Sequence, residues 1–189
     1  MNSMFLDNYF SDLDTLLRNS KNDFSKLIEI KKIFNQCSKR NKKIIFCGNG
    51  GSAATASHAA VDFSKNAKIR SINFNESDLI TCLSNDYGYE NWLSAAIKMY
   101  ADKGDVLVLI SCSGKSPNLL KALKTAKKKN LKIICLTGID IKNPLKKMNN
   151  KGVNIWVNSK SYNQIEIIHH MYLLCLVDFC MGKSVYLPN

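Results

Sequence analysis

Ser111, Ser113 and Ser116 fall within Ser111-Cys-Ser-Gly-Lys-Ser-Pro-Asn118, directly after the strand-like stretch 105–110. Three hydroxyls, with the adjacent backbone amides, suit the three oxygens of a phosphoryl group, and Pro117 is suited to a first helical position. A second stretch of the same kind precedes it. The apolar residues 44–47 lead into Gly48-Asn-Gly-Gly-Ser52, and almost every residue from Ser52 to Ala60 is small. Glycines let the backbone turn sharply and approach a ligand, and the free N–H groups of a helix start favour an anion. On that following helix His58 and Asp62 stand four residues apart and so share one face. The plain reading is a solvated pair contributing a few tenths of a kcal/mol, and an ordinary Ser-rich turn is the plain reading of the serines. Their placement behind two strand-to-helix turns favours the functional one.

What those turns hold is narrowed by elimination. The Gly-x-x-x-x-Gly-Lys-Ser/Thr phosphate loop is absent, which argues against ordinary nucleotide hydrolysis. Gly48-Asn-Gly50-Gly-Ser-Ala53 satisfies the loose dinucleotide pattern, which also asks for an acidic residue after the next strand, and Glu76 is only a rough candidate. A dinucleotide fold needs one such loop, whereas a phosphosugar held at both ends can use two. No nucleotide cofactor is expected.

The elements that must position these residues alternate. Apolar residues recur at helical spacing over 5–38, with a break near 19–22 that predicts two helices. Strands are expected at 44–47, 69–74, 79–83, 105–110, 132–136 and 153–157. Asn85-Asp86 begins a turn. Helices are expected at 89–100 (Trp92, Leu93, Ala96 and Met99 inward), 117–130, 143–148 and 162–180. This order implies an α/β fold, a single-domain three-layer parallel sheet with helices on both faces. Residues 1–189 are read as one domain, with a helical segment at 1–40 and an α/β core at 41–180. Two broad apolar helical faces exceed what one small domain covers, so 1–40 is expected to pack against a second copy.

Four stretches in order, Gly48-Asn-Gly-Gly-Ser52, Asn85-Asp-Tyr-Gly-Tyr89, Ser111-Cys-Ser-Gly-Lys-Ser-Pro-Asn118 and Leu136-Thr-Gly138, resemble those of the sugar isomerase (SIS) domain family. The branch they are most similar to is the bacterial phosphoheptose isomerases, over about residues 27–179. The resemblance implies a flavodoxin-like sheet and a homotetramer. It further implies conversion of sedoheptulose 7-phosphate to D-glycero-D-manno-heptose 7-phosphate, feeding lipopolysaccharide or capsule heptose synthesis. Asn49, Ser52 and Asp86 resemble the family's sugar-hydroxyl contacts, and Gly50, Gly51, Asn85, Ser111, Cys112, Ser113, Ser116 and Gln164 complete the substrate-binding set expected here. Cys112 stands where the family usually has Thr.

By the same resemblance His58 and Asp62 match a His–Glu pair that helps hold zinc, the Glu also moving the proton, so Asp62 is shorter by one methylene. The family's last helix supplies a Gln and, eight residues on, a His. Gln164 fits the first position, but Tyr172 stands at the second. The implied metal ligands are His58, Asp62 and Gln164, with zinc weak or absent, and the implied catalytic residues are Asp62, His58 and Tyr172. His169 and His170, five and six residues after Gln164, lie off its face and read as a helix surface or subunit contact. A non-catalytic phosphosugar-binding or protein-interaction member, of the type that associates with a replication initiator, is the alternative.

Composition fits this frame. Of 27 basic residues only Arg18, Arg40 and Arg70 are arginine, and the net charge is +12. Specific nucleic-acid recognition leans on arginine's fork. Lys121, Lys124, Lys127, Lys128 and Lys129 read instead as a solvated helix face, and no nucleic-acid partner is expected. The seven cysteines match no metal or disulfide spacing and are expected reduced and buried. No apolar run is expected to span a membrane, the first residues lack the basic region of a signal peptide, and a cytoplasmic location is expected.

Overall fold

The fold is that of a computed structural model, which describes residues 2–185. Two helices lead, α1 (Asn2–Asn19) and α2 (Phe24–Lys39), joined by a 3₁₀ turn at Ser20–Asp23 where the periodicity breaks. Five strands follow: β1 (Ile44–Gly48), β2 (Ser71–Asn73), β3 (Val106–Ser111), β4 (Lys132–Thr137) and β5 (Val153–Trp156). Between and after them run α3 (Gly51–Lys65), α4 (Ser77–Tyr87), α5 (Trp92–Tyr100), α6 (Pro117–Lys128), α7 (Pro144–Met148) and α8 (Tyr162–Met181). Every strand pair is parallel, and the order is β2-β1-β3-β4-β5.

Residues of β1, β3 and β4 are apolar in unbroken runs because both sheet faces are covered. Ile44, Phe46, Val106, Val108 and Ile110 face one core, shared with Phe34 of α2, Ala56 and Phe63 of α3, and Ile165 and Leu173 of α8. The alternate residues Ile45, Cys47, Leu107 and Leu109 face the other, with Trp92, Leu93 and Ile97 of α5 and Leu119 and Leu123 of α6. A sheet of order 2-1-3-4-5 reverses direction between β1 and β3, and ligands bind in the crevice at that switch point, outside the strands' carboxyl ends. Both glycine- and serine-bearing turns leave those two ends.

Several expectations are corrected. Residues 79–83 are helical, not a strand: Leu79, Ile80 and Leu83 pack one face of α4 onto the second core at i, i+1 and i+4. Asn85 and Asp86 therefore lie in the last turn of α4, which ends at Gly88 with φ +81°. Met99 is exposed, because α5 turns Trp92, Leu93 and Ala96 inward and Met99 away. Cys82 and Cys175 are exposed and Cys180 half-buried, while Cys37, Cys47, Cys112 and Cys135 are buried as expected of small apolar side chains. By length and composition α8 is long and apolar enough to cross a membrane. Its apolarity serves the core instead: Ile165, Ile168, Leu173, Leu176 and Val177 are buried under α2 and α3.

Candidate functional site

The turn after β1 is held open by Gly50, whose φ of +56° is left-handed backbone that favours glycine. Its neighbour Gly51 lets a side chain from α8 come close to the backbone. A Cβ there would overlap the carboxylate of Glu166, which reaches over the turn from α8. The β1 and β3 turns are locked together by a reciprocal amide pair: Asn49 Nδ2 donates to Asn118 Oδ1 at 3.0 Å, and Asn118 Nδ2 donates to Asn49 Oδ1 at 2.9 Å. Asn118 is buried, and its Oδ1 also accepts from the Leu119 amide. This brace fixes the spacing of two loops whose sequence separation is 69 residues.

The serine turn is shaped from within. Ser111 Oγ accepts from the Gly114 amide at 3.0 Å and Ser113 Oγ from the Lys115 amide at 3.2 Å. Ser116 is the N-cap of α6 but its hydroxyl makes no cap bond, leaving it to face a ligand, and Pro117 takes the first helical position. Asn49, Ser52, Ser111, Cys112, Ser113, Ser116, Tyr162 and Glu166, with Ile110 and Leu119, line a cavity of about 180 Å³ here. No lysine or arginine stands among these lining residues, so an anion would be held by hydroxyls, amides and the α3 and α6 termini. Burial, with the Glu166 carboxylate adding, pushes the Cys112 thiol up to about 11. It is a neutral wall, not a nucleophile.

A second cavity adjoins the first along α3 and is lined by Gly51, Ala54, Thr55, His58, Asn163, Glu166, Ile167 and His170. Here Asp62, His58 and His170 form a chain. His58 Nε2 lies 3.2 Å from Asp62 Oδ2, and His58 Nδ1 lies 2.8 Å from His170 Nε2. A carboxylate only accepts, so His58 carries its proton on Nε2, and His170 donates to the bare Nδ1. Burial first, then the neighbouring His58, lower the pKa of His170 against the opposing pull of Asp62, which keeps it neutral. Small residues at 53, 54, 56, 59 and 60 let α3 and α8 approach closely enough for rings from the two helices to meet at a centroid distance of 4.8 Å.

The structure brings together Asn49, Gly50, Gly51, Ser52, Ser111, Cys112, Ser113, Ser116 and His58, with Asp62 behind His58. It places others elsewhere. Gln164 is buried at the base of α8, where its Oε1 accepts from Ser159 Oγ and its Nε2 donates to the Tyr9 carbonyl of α1. Tyr172 is buried against α2, and its hydroxyl donates to Asp23 Oδ2 at 2.7 Å. Burial, then its bond to Asp23, pushes that phenol up. His169 is a core residue, not a surface one: its Nε2 meets the Thr137 carbonyl at 3.2 Å, and burial lowers it to about 4. Asn85 and Asp86 bond each other on exposed α4 and line neither cavity.

The register of α8 explains these corrections. Positions 164–165, 168–169, 172–173 and 176–177 are buried, so the face bearing Gln164 and Tyr172 is the core face. The face about a third of a turn away carries Tyr162, Glu166 and His170 at i, i+4 and i+8, and that face meets the cavities. Glu166, His170, Tyr162 and Asn118 are thus site residues that the motif reading did not assign, and His170, expected at a helix surface or subunit contact, lines the second cavity instead. The signal for the first three was their spacing of four.

A zinc ion would need at least three good protein donors about one point. His58 Nε2 carries the proton that it gives to Asp62 Oδ2, His170 is spent on the opposite nitrogen of His58, and Gln164 is remote. Among the described residues no three of the His, Cys, Asp and Glu side chains converge. The donor set of a single chain does not fit the implied ion, and no step is routed through one.

Comparison with known proteins agrees with this architecture. The SIS domain model matches residues 8–138. A phosphoheptose isomerase of Buchnera aphidicola is 32% identical over 179 residues, covering 87% of this chain and 91% of its own. The structure of phosphoheptose isomerase from Neisseria gonorrhoeae superposes with a TM-score of 0.88 at 26% identity, over 96% of this chain and 99% of that one. A phosphoheptose isomerase from Francisella tularensis, at 24% identity and a TM-score of 0.90 over 97% and 100% of the two chains, shares the fold. With the five-stranded sheet, its two turns at the switch point and a match over most of its length, the chain belongs to the SIS domain family.

Proposed function

We propose that this protein is an aldose–ketose isomerase acting on a phosphorylated sugar, converting sedoheptulose 7-phosphate to D-glycero-D-manno-heptose 7-phosphate in the cytoplasm. The observation that carries the reading is the adjacency of a cation-free hydroxyl cradle, Ser111 to Ser116, to a carboxylate–histidine chain one cavity away. A phosphate bound at the first leaves the sugar chain extended over Gly51 toward the second.

Isomerisation moves a proton between C1 and C2 through an enediol, and each half needs a group that takes and returns a proton beside the carbon and the carbonyl oxygen. Neutral His170 gives its Nε2–H to His58, so its bare Nδ1 is the nitrogen that takes the proton from one carbon and returns it to the other. His58, held by Asp62, passes the charge on without leaving it unpaired. Bracing by Asn49 and Asn118 fixes the phosphate end so that the reacting carbons arrive in one register.

Second copies are part of the proposal. Phe5, Phe10, Phe24 and Ile28 of the leading helices are largely exposed in a single chain, as are Val61 and Ile167 beside the second cavity. A homotetramer covering these faces would also close the open flank of the site.

The second reading, a phosphosugar-binding member without chemistry, draws on the shorter Asp62 and on Tyr172 lying in the core. Purified protein incubated with sedoheptulose 7-phosphate and followed by NMR separates them. Appearance of the aldose at catalytic turnover supports the isomerase. Saturable binding with no conversion, with or without added zinc, would replace it by the second reading.

A further inference from the structure

All five strands are parallel, so the segments that enter them lie together at the amino end of the sheet, opposite the two cavities. Those segments, 39–43, 65–70, 102–105, 127–132 and 149–152, hold 13 of the chain's 27 basic residues but only 2 of its 15 acidic ones. The segments that leave the strands, 48–51, 74–77, 111–117, 138–143 and 157–161, hold 3 and 2. Positive charge is therefore collected at the end away from the site. Strand pairing sets it in line. Arg70 directly precedes β2, Lys42 stands two residues before β1 and Lys103 three before β3, while Lys132 opens β4 and Lys151 stands two before β5. Ile44 pairs with Ser71 and Val106, Val106 with Lys132, and Val153 with Ile134, so these five residues cross the sheet as one rank, a cation to each strand.

The plain reading is that the lysines offset helix dipoles, since a helix precedes each strand and finishes at this end. Five helix C-termini at about half a negative charge each amount to only about 2.5 charges. The two acids, Asp102 and Asp105, are both taken by Lys43. Most of the cations are left over. None of the rank forms an ion pair among the described residues, and Arg70, Lys103, Lys132 and Lys151 are exposed. Clefts flank the rank: one of about 400 Å³ is lined by Lys43, Lys68 and Arg70, and one of about 740 Å³ by Lys127, Lys132 and Lys151, with Glu29 the one acid on either wall. The large apolar residues of these segments, Ile69 and Leu131, are buried, so nothing here would insert into a bilayer.

We propose that this end of the sheet binds the phosphodiester backbone of a nucleic acid without reading its sequence. The scarcity of arginine argues against base-specific recognition, but it leaves a charge-only contact untouched, because backbone affinity comes from counterion release. Strands about 4.8 Å apart spread the five cations over about 19 Å. That is the length of about five or six steps of one duplex strand at ~3.4 Å each, so each cation meets one phosphate. The two cavities stay open on the opposite side.

Fluorescence anisotropy of the full chain with a labelled duplex of about 24 base pairs tests this. The logarithm of the binding constant should fall against that of the salt concentration with a slope of about −4.5, a loss of about 500-fold between about 50 and 200 mM. Two duplexes of unrelated sequence should bind within about threefold of each other. The triple variant Lys103→Gln, Lys132→Gln, Lys151→Gln should keep the urea midpoint of the wild type and reduce the slope to about −2. The triple variant Lys124→Gln, Lys142→Gln, Lys160→Gln, which removes the same charge outside the rank, should keep the slope near −4.5, to within about one unit. Absence of binding at about 50 mM salt overturns the inference, as does an equal loss of slope in the two triple variants, which would leave net charge alone as the cause. Adsorption to vesicles containing about one-third phosphatidylserine, with no binding to the duplex, would assign the surface to a membrane and overturn it as well.

Discussion

Tyr172 stands where the family resemblance places a catalytic group, yet the structure gives it a structural task, and Tyr172→Phe separates the two. The substitution deletes one hydroxyl and nothing else from a side chain that is 2% exposed. That hydroxyl donates to Asp23 Oδ2 at 2.7 Å, while the other oxygen of Asp23 receives Lys26 Nζ at 2.7 Å. A hydrogen bond to a charged acceptor contributes about 1.5–3 kcal/mol. Since Lys26 still offsets the charge of Asp23, a loss of about 2 kcal/mol is expected. For a chain of this size that corresponds to a fall in Tm of about 4–8 °C. Urea titration should show a lower midpoint with an unchanged slope, because no new surface is exposed. Turnover should stay within about twofold of wild type, since Tyr172 lines neither cavity and a lost transition-state contact would cost tenfold or more. A variant of normal stability that had lost its turnover would refute this reasoning and return Tyr172 to the chemistry.

Four further outcomes are expected. Ser113→Ala and Ser116→Ala should each weaken phosphosugar binding by a charge-assisted hydrogen bond, about 1.5–3 kcal/mol or roughly tenfold to a hundredfold, and unchanged affinity by calorimetry in both would remove the phosphate from this turn. Asp62→Asn should abolish isomerase turnover while leaving binding intact, because an amide can donate to His58 and reverse its tautomer; normal turnover would exclude the carboxylate–histidine chain from the reaction. His169 protonates at its usual 6.5 when unfolded but only at about 4 when buried. The unfolded state therefore binds more protons between these values, so stability falls by about 3 kcal/mol as the pH drops from 6.5 to 4, and His169→Asn should flatten that slope in urea titrations. Sedimentation at micromolar concentration should show an oligomer that covers the exposed Phe5, Phe10, Phe24 and Ile28, and a stable monomer would contradict the proposed assembly.

Sequence alone determined the parts of this protein that local chemistry specifies. The apolar run 106–110, with β-branched residues at three of its five positions and turn residues on both sides, reads as a strand buried on both faces. Gly50 at positive φ and Pro117 at a helix start are choices that a turn imposes wherever it occurs. The order of those turns, with Ser111, Ser113 and Ser116 after the second, is the ground for expecting a bound phosphate. Residues 79–83 misled because a five-residue apolar run reads as strand or helix until its neighbours are known, and β2 already occupied that sheet edge.

Tertiary structure decided what meets what. Helix α8 is apolar on most of its circumference, so its periodicity does not say which face lies on the sheet; packing against α2 and α3 does. That choice buries Gln164, His169 and Tyr172 and turns Glu166 and His170 to the cavities. Likewise nothing in the chain order pairs Asn49 with Asn118, or His58 with His170 across 112 residues. Side-chain encounters between distant segments depend on the register in which helices seat on a common sheet, and that register is fixed by the whole core rather than by any stretch of sequence.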